Sequence, residues 1–190
     1  MPNVIRETSN GIAIYPISDA LLSERKLFLT EQVNAESMNS LLQQLIHLEQ
    51  IEPGKEITLY INSPGGECLS GLAVADYIRI MKSPVRTVCT GTAASMGAIL
   101  FLCGKKREMF AHTKIMIHDP STQNSISGMK PHEIEEQLSM LREIQQTLCD
   151  IISEVTGKPA KDVSKVTKKD SYFGLKQAVE FGLATGEYKV

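Results

Sequence analysis

The sequence predicts an α/β fold in which parallel strands alternate with helices. Short β-rich runs occupy 57–61, 85–90 and 113–117, and each is bounded by Gly, Pro or polar residues. Helical patterns separate these runs along the chain. Because strand and helix alternate, the favoured connection is a right-handed crossover between parallel strands. A much longer helical pattern follows at 131–156.

Three crossover helices are predicted in order along the chain. The first covers 35–50, where a helical stripe of leucine and isoleucine ends at the Pro-containing "EPGKE". The second covers 69–81. The third covers 93–104 and stops at Gly104, because glycine commonly follows the last turn of a helix.

The segment 131–156 behaves differently, because its apolar residues repeat every seven positions over many turns. The residues of this stripe are Ile134, Leu138, Leu141, Leu148, Ile152 and Val155. A helix of this length spans roughly 39 Å, more than a small core covers. We therefore expect part of its apolar face to contact another subunit. The remaining stretch 171–188 predicts a short helix and a closing turn.

Length, composition and charge limit the function classes. The 190 residues include 42% hydrophobic residues, which is typical of a single globular domain, here 1–190. Twenty basic against twenty-two acidic residues, with no basic block, argue against nucleic acid and against a membrane surface. The N-terminus lacks a signal-peptide pattern and no apolar stretch would span a bilayer, so we expect a cytoplasmic protein. Four widely spaced cysteines predict buried, reduced thiols.

The stretch "GTAASMGAIL" places Ser95 between small residues, after a strand and at the start of a helix. Such a position suits a nucleophile, because small neighbours let a substrate approach and the amide of Met96 can face a developing oxyanion. The alternative is that Ser95 only caps the helix. The stretch "NSPGGE" supplies Gly65 and Gly66, whose turn exposes amides, so Gly66 could be a second oxyanion donor. An ordinary turn is the alternative here.

A general base for Ser95 is best sought among the four histidines. His118 directly follows a predicted buried strand, which would hold its ring rigidly, whereas His47, His112 and His132 are expected to be structural or solvated. A carboxylate that orients the imidazole must come from a distant segment. The residues alone do not select which one.

Three motifs in order, "LYINSPGGECLSGLAVADYI", "GTAASMGAIL" and "MIHDP", resemble the proteolytic subunit of Clp protease, and the resemblance runs from about Val4 to Tyr188. It implies a Ser95, His118 and Asp170 catalytic triad, with Asp170 in "KKDSYF". It also implies that the amides of Gly66 and Met96 form the oxyanion hole and that Gly65 lies in the supporting turn.

The same resemblance implies a fold and an assembly. The fold would be a crotonase-like stack of ββα units with a long protruding handle helix at about 131–156. Two stacked heptameric rings would enclose a chamber for unfolded protein substrates, supplied by an ATP-dependent Clp-family unfoldase. The chain itself would bind no cofactor and no metal, because ATP is used by the partner. Tyr60 matches an aromatic residue of the docking pocket for that unfoldase.

This sequence departs from the family pattern at several positions. Asp119 stands where Gln is common, and Lys168 and Lys169 replace an Asp-Arg pair that couples rings to the active site. These lysines suggest a different ring contact or a hetero-oligomer with a paralogous subunit. The segment 121–133 departs from the glycine-rich region that lines the substrate groove, which suggests a different substrate preference.

Two other functions remain open from the sequence. One is a non-catalytic or partner-dependent ring subunit, favoured by Lys168 and Lys169. The other is an acyl-CoA hydratase or isomerase of the same superfamily, in which the Gly-Gly amides would polarise a thioester. The combination of Ser95, His118 and Asp170 argues against the second.

Overall fold

The strands form a β-hairpin and a larger sheet. The structure, a computed structural model, describes residues 2–8, 11–122 and 127–189. The hairpin pairs β1 (Asn3–Thr8) with β2 (Gly11–Pro16). Within the described residues, the larger sheet contains β3 (Lys26–Leu29), β4 (Ile57–Ser63), β5 (Val85–Ala94), β6 (Lys106–Met109), β7 (Lys114–Ile117), β8 (Ser171–Phe173) and β9 (Gly186–Glu187).

Helices connect these strands over the same described ranges. They are α1 (Ile17–Ser23), α2 (Ala35–Ile51), α3 (Cys68–Ile80), α4 (Met96–Leu102), α5 (Pro131–Thr156), α6 (Ala160–Thr167) and α7 (Leu175–Phe181). None of them is both long and apolar enough to cross a membrane. The α/β class and the crossover helices predicted from the sequence are confirmed, as is the long helix.

The sheet branches at β5. Strands β3, β4, β5, β6 and β9 lie in this order and are parallel, and β6 pairs with the first half of β5. The second half of β5 pairs in parallel with β7 instead, through Thr92, Ala93 and Ala94. Strand β8 then runs antiparallel to β7. The branch brings the C-terminal ends of β5 and β7 and the N-terminal end of β8 to one edge of the sheet.

Small residues explain the branch and correct one prediction. The sequence predicted a strand ending at Thr90 and a helix beginning at Ala93, but β5 continues to Ala94 and α4 begins at Met96. A Cβ on Gly91 would lie 2.3 Å from the Asn62 side-chain oxygen, which also accepts a hydrogen bond from the Thr92 amide at 3.0 Å. The small residues therefore extend the strand rather than form a turn.

The fully buried residues of the long helix α5 all lie in its C-terminal half. Leu148, Ile151 and Ile152 are buried in the core, whereas Leu138 and Met140 are 43% and 49% exposed. Gly157 ends the helix with φ of +67°, a conformation that glycine adopts without steric cost. The expectation that part of the apolar stripe lacks an intramolecular partner therefore agrees with the burial pattern.

All four cysteines are free thiols. Cys89 and Cys149 are buried as expected, whereas Cys68, at the start of α3, and Cys103, just after α4, are only partly buried. Of the divergent segment 121–133, residues 123–126 lie outside the described residues.

Candidate active site

Ser95 joins β5 to α4 in a backbone conformation that is rare for a residue with a side chain. Its φ is +53° and its ψ is −122°, and conformations of this kind cost about 1–3 kcal/mol. The Ser95 amide donates to the Met116 carbonyl at 2.8 Å, which ties the turn to β7. The hydroxyl makes no capping hydrogen bond to α4, so the alternative of a simple helix cap is not supported. The turn instead points the hydroxyl away from the helix it precedes.

His118 reaches the Ser95 hydroxyl. Because Ala94 pairs with Met116 in parallel strands, the residues that follow β5 and β7 emerge at the same edge of the sheet. The distance from His118 Nε2 to Ser95 Oγ is 2.8 Å, within hydrogen-bonding range. The His118 side chain is 24% exposed. In contrast, His47, His112 and His132 are exposed, as the sequence analysis predicted.

Asp170 lies on the other side of the same imidazole. Ile117 pairs with Ser171 in the antiparallel β7–β8 ladder, so the next positions outward, His118 and Asp170, face each other. His118 Nδ1 and Asp170 Oδ1 are 3.5 Å apart, which is longer than a short hydrogen bond, and the Asp170 side chain is 62% exposed. The structure thus brings together all three residues of the expected triad.

The Gly65–Gly66 turn packs directly against Ser95. Gly65 has φ of +87°, and a Cβ there would lie 2.6 Å from Ser95 Cβ and 2.9 Å from the Met96 nitrogen. Gly66 has φ of +148°, and its Cβ would lie 2.1 Å from the Val33 carbonyl oxygen. Only glycine permits both the backbone conformation and these approaches.

Hydrogen bonds hold this turn with its amides in defined positions. Val33 donates to the Gly65 carbonyl and accepts from the Glu67 amide, both at 2.8 Å, and the Gly65 amide donates to Ser63 Oγ at 3.2 Å. Within the described ranges, the Gly66 amide has no acceptor. It therefore remains available to a ligand.

Met96 is the first residue of α4, and its amide likewise has no acceptor in the described parts of the chain. The amides of the first turn of a helix have no acceptor within the helix. The Met96 side chain is buried beneath α3, where a Cβ on Gly71 would lie 2.3 Å from Met96 Cγ. The turn after β4 and the start of α4 therefore present two free amides close to one hydroxyl.

A groove of about 940 Å³ opens over these groups. It runs between the glycine turn and the long helix, and its walls include Gly66, Leu69, Ser95, His118, Met140 and Leu141. A hydroxyl, an imidazole and free amides in a partly apolar groove are suited to acyl transfer at a bound carbonyl compound.

A sequence model of the Clp protease family matches residues 9–186, nearly the whole chain. The chain belongs to the Clp protease family. Members of this family are peptidases, and the matched range includes every residue of the site described above. In general, Clp proteases assemble as rings and work with Clp unfoldases.

Asp119 and the Lys168–Lys169 pair, which depart from the Clp protease pattern, lie in different surroundings. The Asp119 carboxylate does not face the imidazole beside it, because its Oδ2 accepts a hydrogen bond from Gln145 Nε2 at 2.7 Å. Lys168 and Lys169 are exposed at the end of α6, immediately before Asp170. Their ammonium groups therefore lie on the outside of this chain.

A second nucleophile, Cys68, also lines the groove of this Clp protease. Burial raises the pKa of the Cys68 thiol, and the neighbouring Glu67 charge raises it further. A thiol held protonated is a poor nucleophile.

No group of three His, Cys, Asp or Glu side chains in the described part of the chain forms a metal site.

Tyr60 lies in an aromatic patch formed by Phe28, Tyr60, Phe110 and Tyr188. Its ring stacks on Phe28 with centroids 5.0 Å apart, and its hydroxyl lies 3.1 Å from that of Tyr188. Burial, together with the Tyr188 contact, raises the pKa of Tyr60 to about 12. Phe28 and Phe110 are 48% and 40% exposed. The sequence indicated only Tyr60, because Phe28, Phe110 and Tyr188 lie far from it and from one another along the chain.

Proposed function

We propose that this Clp protease chain is a serine endopeptidase subunit that hydrolyses unfolded proteins and peptides. The observation that carries the proposal is the 2.8 Å contact between Ser95 Oγ and His118 Nε2, made by a serine in a strained backbone turn. A strained conformation persists only when the surrounding structure enforces it, and such positions cluster at active sites.

In the proposed mechanism, Ser95 Oγ attacks the peptide carbonyl while His118 Nε2 accepts the hydroxyl proton. Asp170 stabilises the resulting imidazolium through Nδ1. Its present 3.5 Å distance would shorten when the imidazole becomes charged. His118 then gives the proton to the leaving amine. Water, activated by the same imidazole, hydrolyses the acyl-enzyme and restores the Ser95 hydroxyl.

The oxyanion of the tetrahedral intermediate would be held by the amides of Gly66 and Met96. Both amides lack acceptors in the described residues and lie on either side of the contact between Gly65 and Ser95. In other serine hydrolases each such donor is worth about a hundredfold or more in rate. Gly65 would support the hole by keeping the turn against the nucleophile.

The wider context of the proposal follows from the family. We propose a cytoplasmic ring assembly, built from this single domain, of two stacked heptamers. An ATP-dependent unfoldase would deliver unfolded chains, so this chain would need no cofactor of its own. The aromatic patch around Tyr60 supports a docking site, because exposed rings beside a partly buried, hydrogen-bonded tyrosine suit an apolar partner segment.

The deciding experiment compares wild type with Ser95→Ala and with Ser40→Ala, a matched control on the exposed face of α2. Cleavage of a fluorogenic peptide and labelling by a fluorophosphonate probe would be measured, with light scattering on the same samples. Wild type and Ser40→Ala should cleave and be labelled, whereas Ser95→Ala should do neither.

The alternatives predict different results. A hydratase of the same superfamily would leave Ser95 unlabelled and would convert an acyl-CoA thioester. A non-catalytic or partner-dependent ring subunit would assemble but stay inert alone, and would become active only when mixed with a paralogous proteolytic subunit. Peptide cleavage that persists in Ser95→Ala would refute the proposed nucleophile.

A further inference from the structure

Asp119 follows the proposed base directly and is bonded through both its backbone and its side chain. Its amide donates to the Thr167 carbonyl at 2.6 Å, and its carboxylate accepts from Gln145 Nε2 at 2.7 Å. Thr167 is the last residue of α6, and Gln145 lies in the middle of α5. The residue after His118 therefore joins the end of β7 to two helices.

The contact between Asp119 and Gln145 is partly buried. Both side chains line a cavity of about 20 Å³ that Ser95 and His118 also line. A space of this size holds about one water molecule. Hydrogen bonds to a carboxylate are short and comparatively strong, and they gain strength where little water competes. The pair is thus suited to holding the backbone beside the imidazole.

The direct contacts of the triad leave the imidazole weakly held on one side. Asp170 is 3.5 Å from His118 Nδ1 and largely exposed, so this contact alone does not fix the ring. Thr167 precedes Asp170 by three residues and is buried. Through its bond to Thr167, Asp119 therefore also fixes the segment that supplies Asp170.

We propose that Asp119 and Gln145 are positioning residues that hold His118 in line with Ser95 and Asp170. The inference rests on the proposed serine mechanism. Neither residue takes part in proton transfer, because the Asp119 carboxylate is engaged by Gln145 rather than by the imidazole. Their contribution is geometric, and small displacements of a catalytic group reduce the rate strongly.

The kinetic test compares Asp119→Ala, Gln145→Ala, the double variant, Asp119→Asn and Gln146→Ala. Each single alanine variant should lower kcat for a fluorogenic peptide about tenfold with KM little changed, and the double variant should be no worse than either. Asp119→Asn should recover most of the activity, because its amide oxygen still accepts from Gln145. Gln146 bonds Asp150 within α5, so Gln146→Ala should behave as wild type.

Several results would overturn the inference. Additive losses would mean that the two side chains act separately. If Asp119→Asn lowers kcat while Gln145→Ala does not, the negative charge of Asp119 matters and its hydrogen bond to Gln145 does not. A change confined to KM would indicate substrate contact.

Hydrogen exchange tests the same inference without relying on activity. In Gln145→Ala, the amides of residues 117–119 should exchange faster than in Gln146→Ala, because the bond from the Asp119 amide to the Thr167 carbonyl loses its support. Unchanged exchange would refute the positioning role. If wild type cleaves no peptide and escapes the fluorophosphonate probe, the serine mechanism fails, and exchange still decides whether Gln145 holds this segment.

Discussion

Gly65 and Gly54 both adopt positive φ, but only Gly65 is crowded. Their φ values are +87° and +84°, and a Cβ on Gly65 would lie 2.5 Å from the Ala94 carbonyl oxygen, whereas a Cβ on Gly54 meets nothing within 4 Å. Gly54→Ala should lower stability by about 1–2 kcal/mol, and Gly65→Ala should lower it further because its Cβ must also displace neighbouring backbone. Only Gly65→Ala should also displace the turn from Ser95, with a fall in kcat/KM of about a hundredfold.

The comparison separates backbone strain from contact with the nucleophile. Peptide kinetics and thermal unfolding would be measured on both variants. Equal activity in Gly65→Ala and Gly54→Ala would contradict the assigned role of the glycine turn. A loss of fluorophosphonate labelling in Gly65→Ala alone would support it.

The strain at Ser95 can be measured without enzymatic activity. Ser95→Ala and Ser95→Gly both remove the hydroxyl, but only glycine adopts φ of +53° without steric conflict. After allowance for the greater entropy of glycine in the unfolded chain, Ser95→Gly should be more stable than Ser95→Ala by about 1 kcal/mol. Urea unfolding at one protein concentration checks this. Without strain, Ser95→Ala would instead be the more stable variant by the roughly 0.5–1 kcal/mol that the backbone entropy of glycine costs, and that result would contradict the prediction.

The sequence indicated some site residues for physical reasons and others only by resemblance. His118 directly follows an apolar run that predicted a strand, and Ser95 lies among small residues at the start of a predicted helix, so the sequence indicated both positions. Asp170 was not, because its position depends on β8, a strand of three residues that pairs antiparallel with β7. The bond between Asp119 and Gln145 was equally hidden, since residues 26 positions apart meet only in the folded chain.

At the level of elements, Glu108 links β6 to β5 through a buried ion pair. Its carboxylate is 2.6 Å from Arg86 Nε and 2.9 Å from Lys106 Nζ, and Glu108 is 5% exposed. Burial would raise its pKa, but hydrogen bonds from Lys106 and Arg86 outweigh burial and hold the pKa below the ordinary value of 4.5.

Because the folded pKa is depressed, the stabilisation is present above about pH 4.5 and is lost as pH falls through the folded value. Glu108→Gln should therefore be less stable at neutral pH and lose less stability on acidification than wild type. Glu180→Gln, which removes an exposed pair with Lys176, should follow the wild-type curve. The free energy of unfolding would be measured in urea at several acidic pH values. If it falls equally with pH for wild type and Glu108→Gln, the prediction is wrong.

The sequence predicted an element correctly where apolar residues recur over many turns. It failed where strand formation depends on which other strand is available for pairing. The seven-residue repeat predicted α5 with its observed ends at Pro131 and Thr156. Strand β6, "KREM", has little apolar pattern and exists because it pairs with Arg86–Cys89 of β5. The end of β5 was misplaced, because Gly91 to Ala94 are typical of a turn until Asn62 and β7 supply partners for them.

The whole molecule exposes apolar surface that a single chain does not cover. Ile5, Ile12 and Ile14 of the hairpin are each more than 60% exposed, and Leu138 of α5 is 43% exposed. Exposed apolar surface of this kind commonly marks contacts between chains. Clp proteases in general assemble as rings.

Two residues of α5 separate assembly from substrate binding. Leu138 and Met140 are similarly exposed, but only Met140 lines the groove beside Ser95. An acidic residue in an apolar contact between chains is costly because its charge loses water. Leu138→Asp should therefore lower the mass found by light scattering from that of the wild-type assembly of 20.9 kDa chains. Met140→Asp should keep that mass and raise KM for an apolar peptide. If Leu138→Asp forms an assembly of the wild-type mass, the contact between chains does not involve Leu138. If its assembly has half that mass, α5 joins two rings.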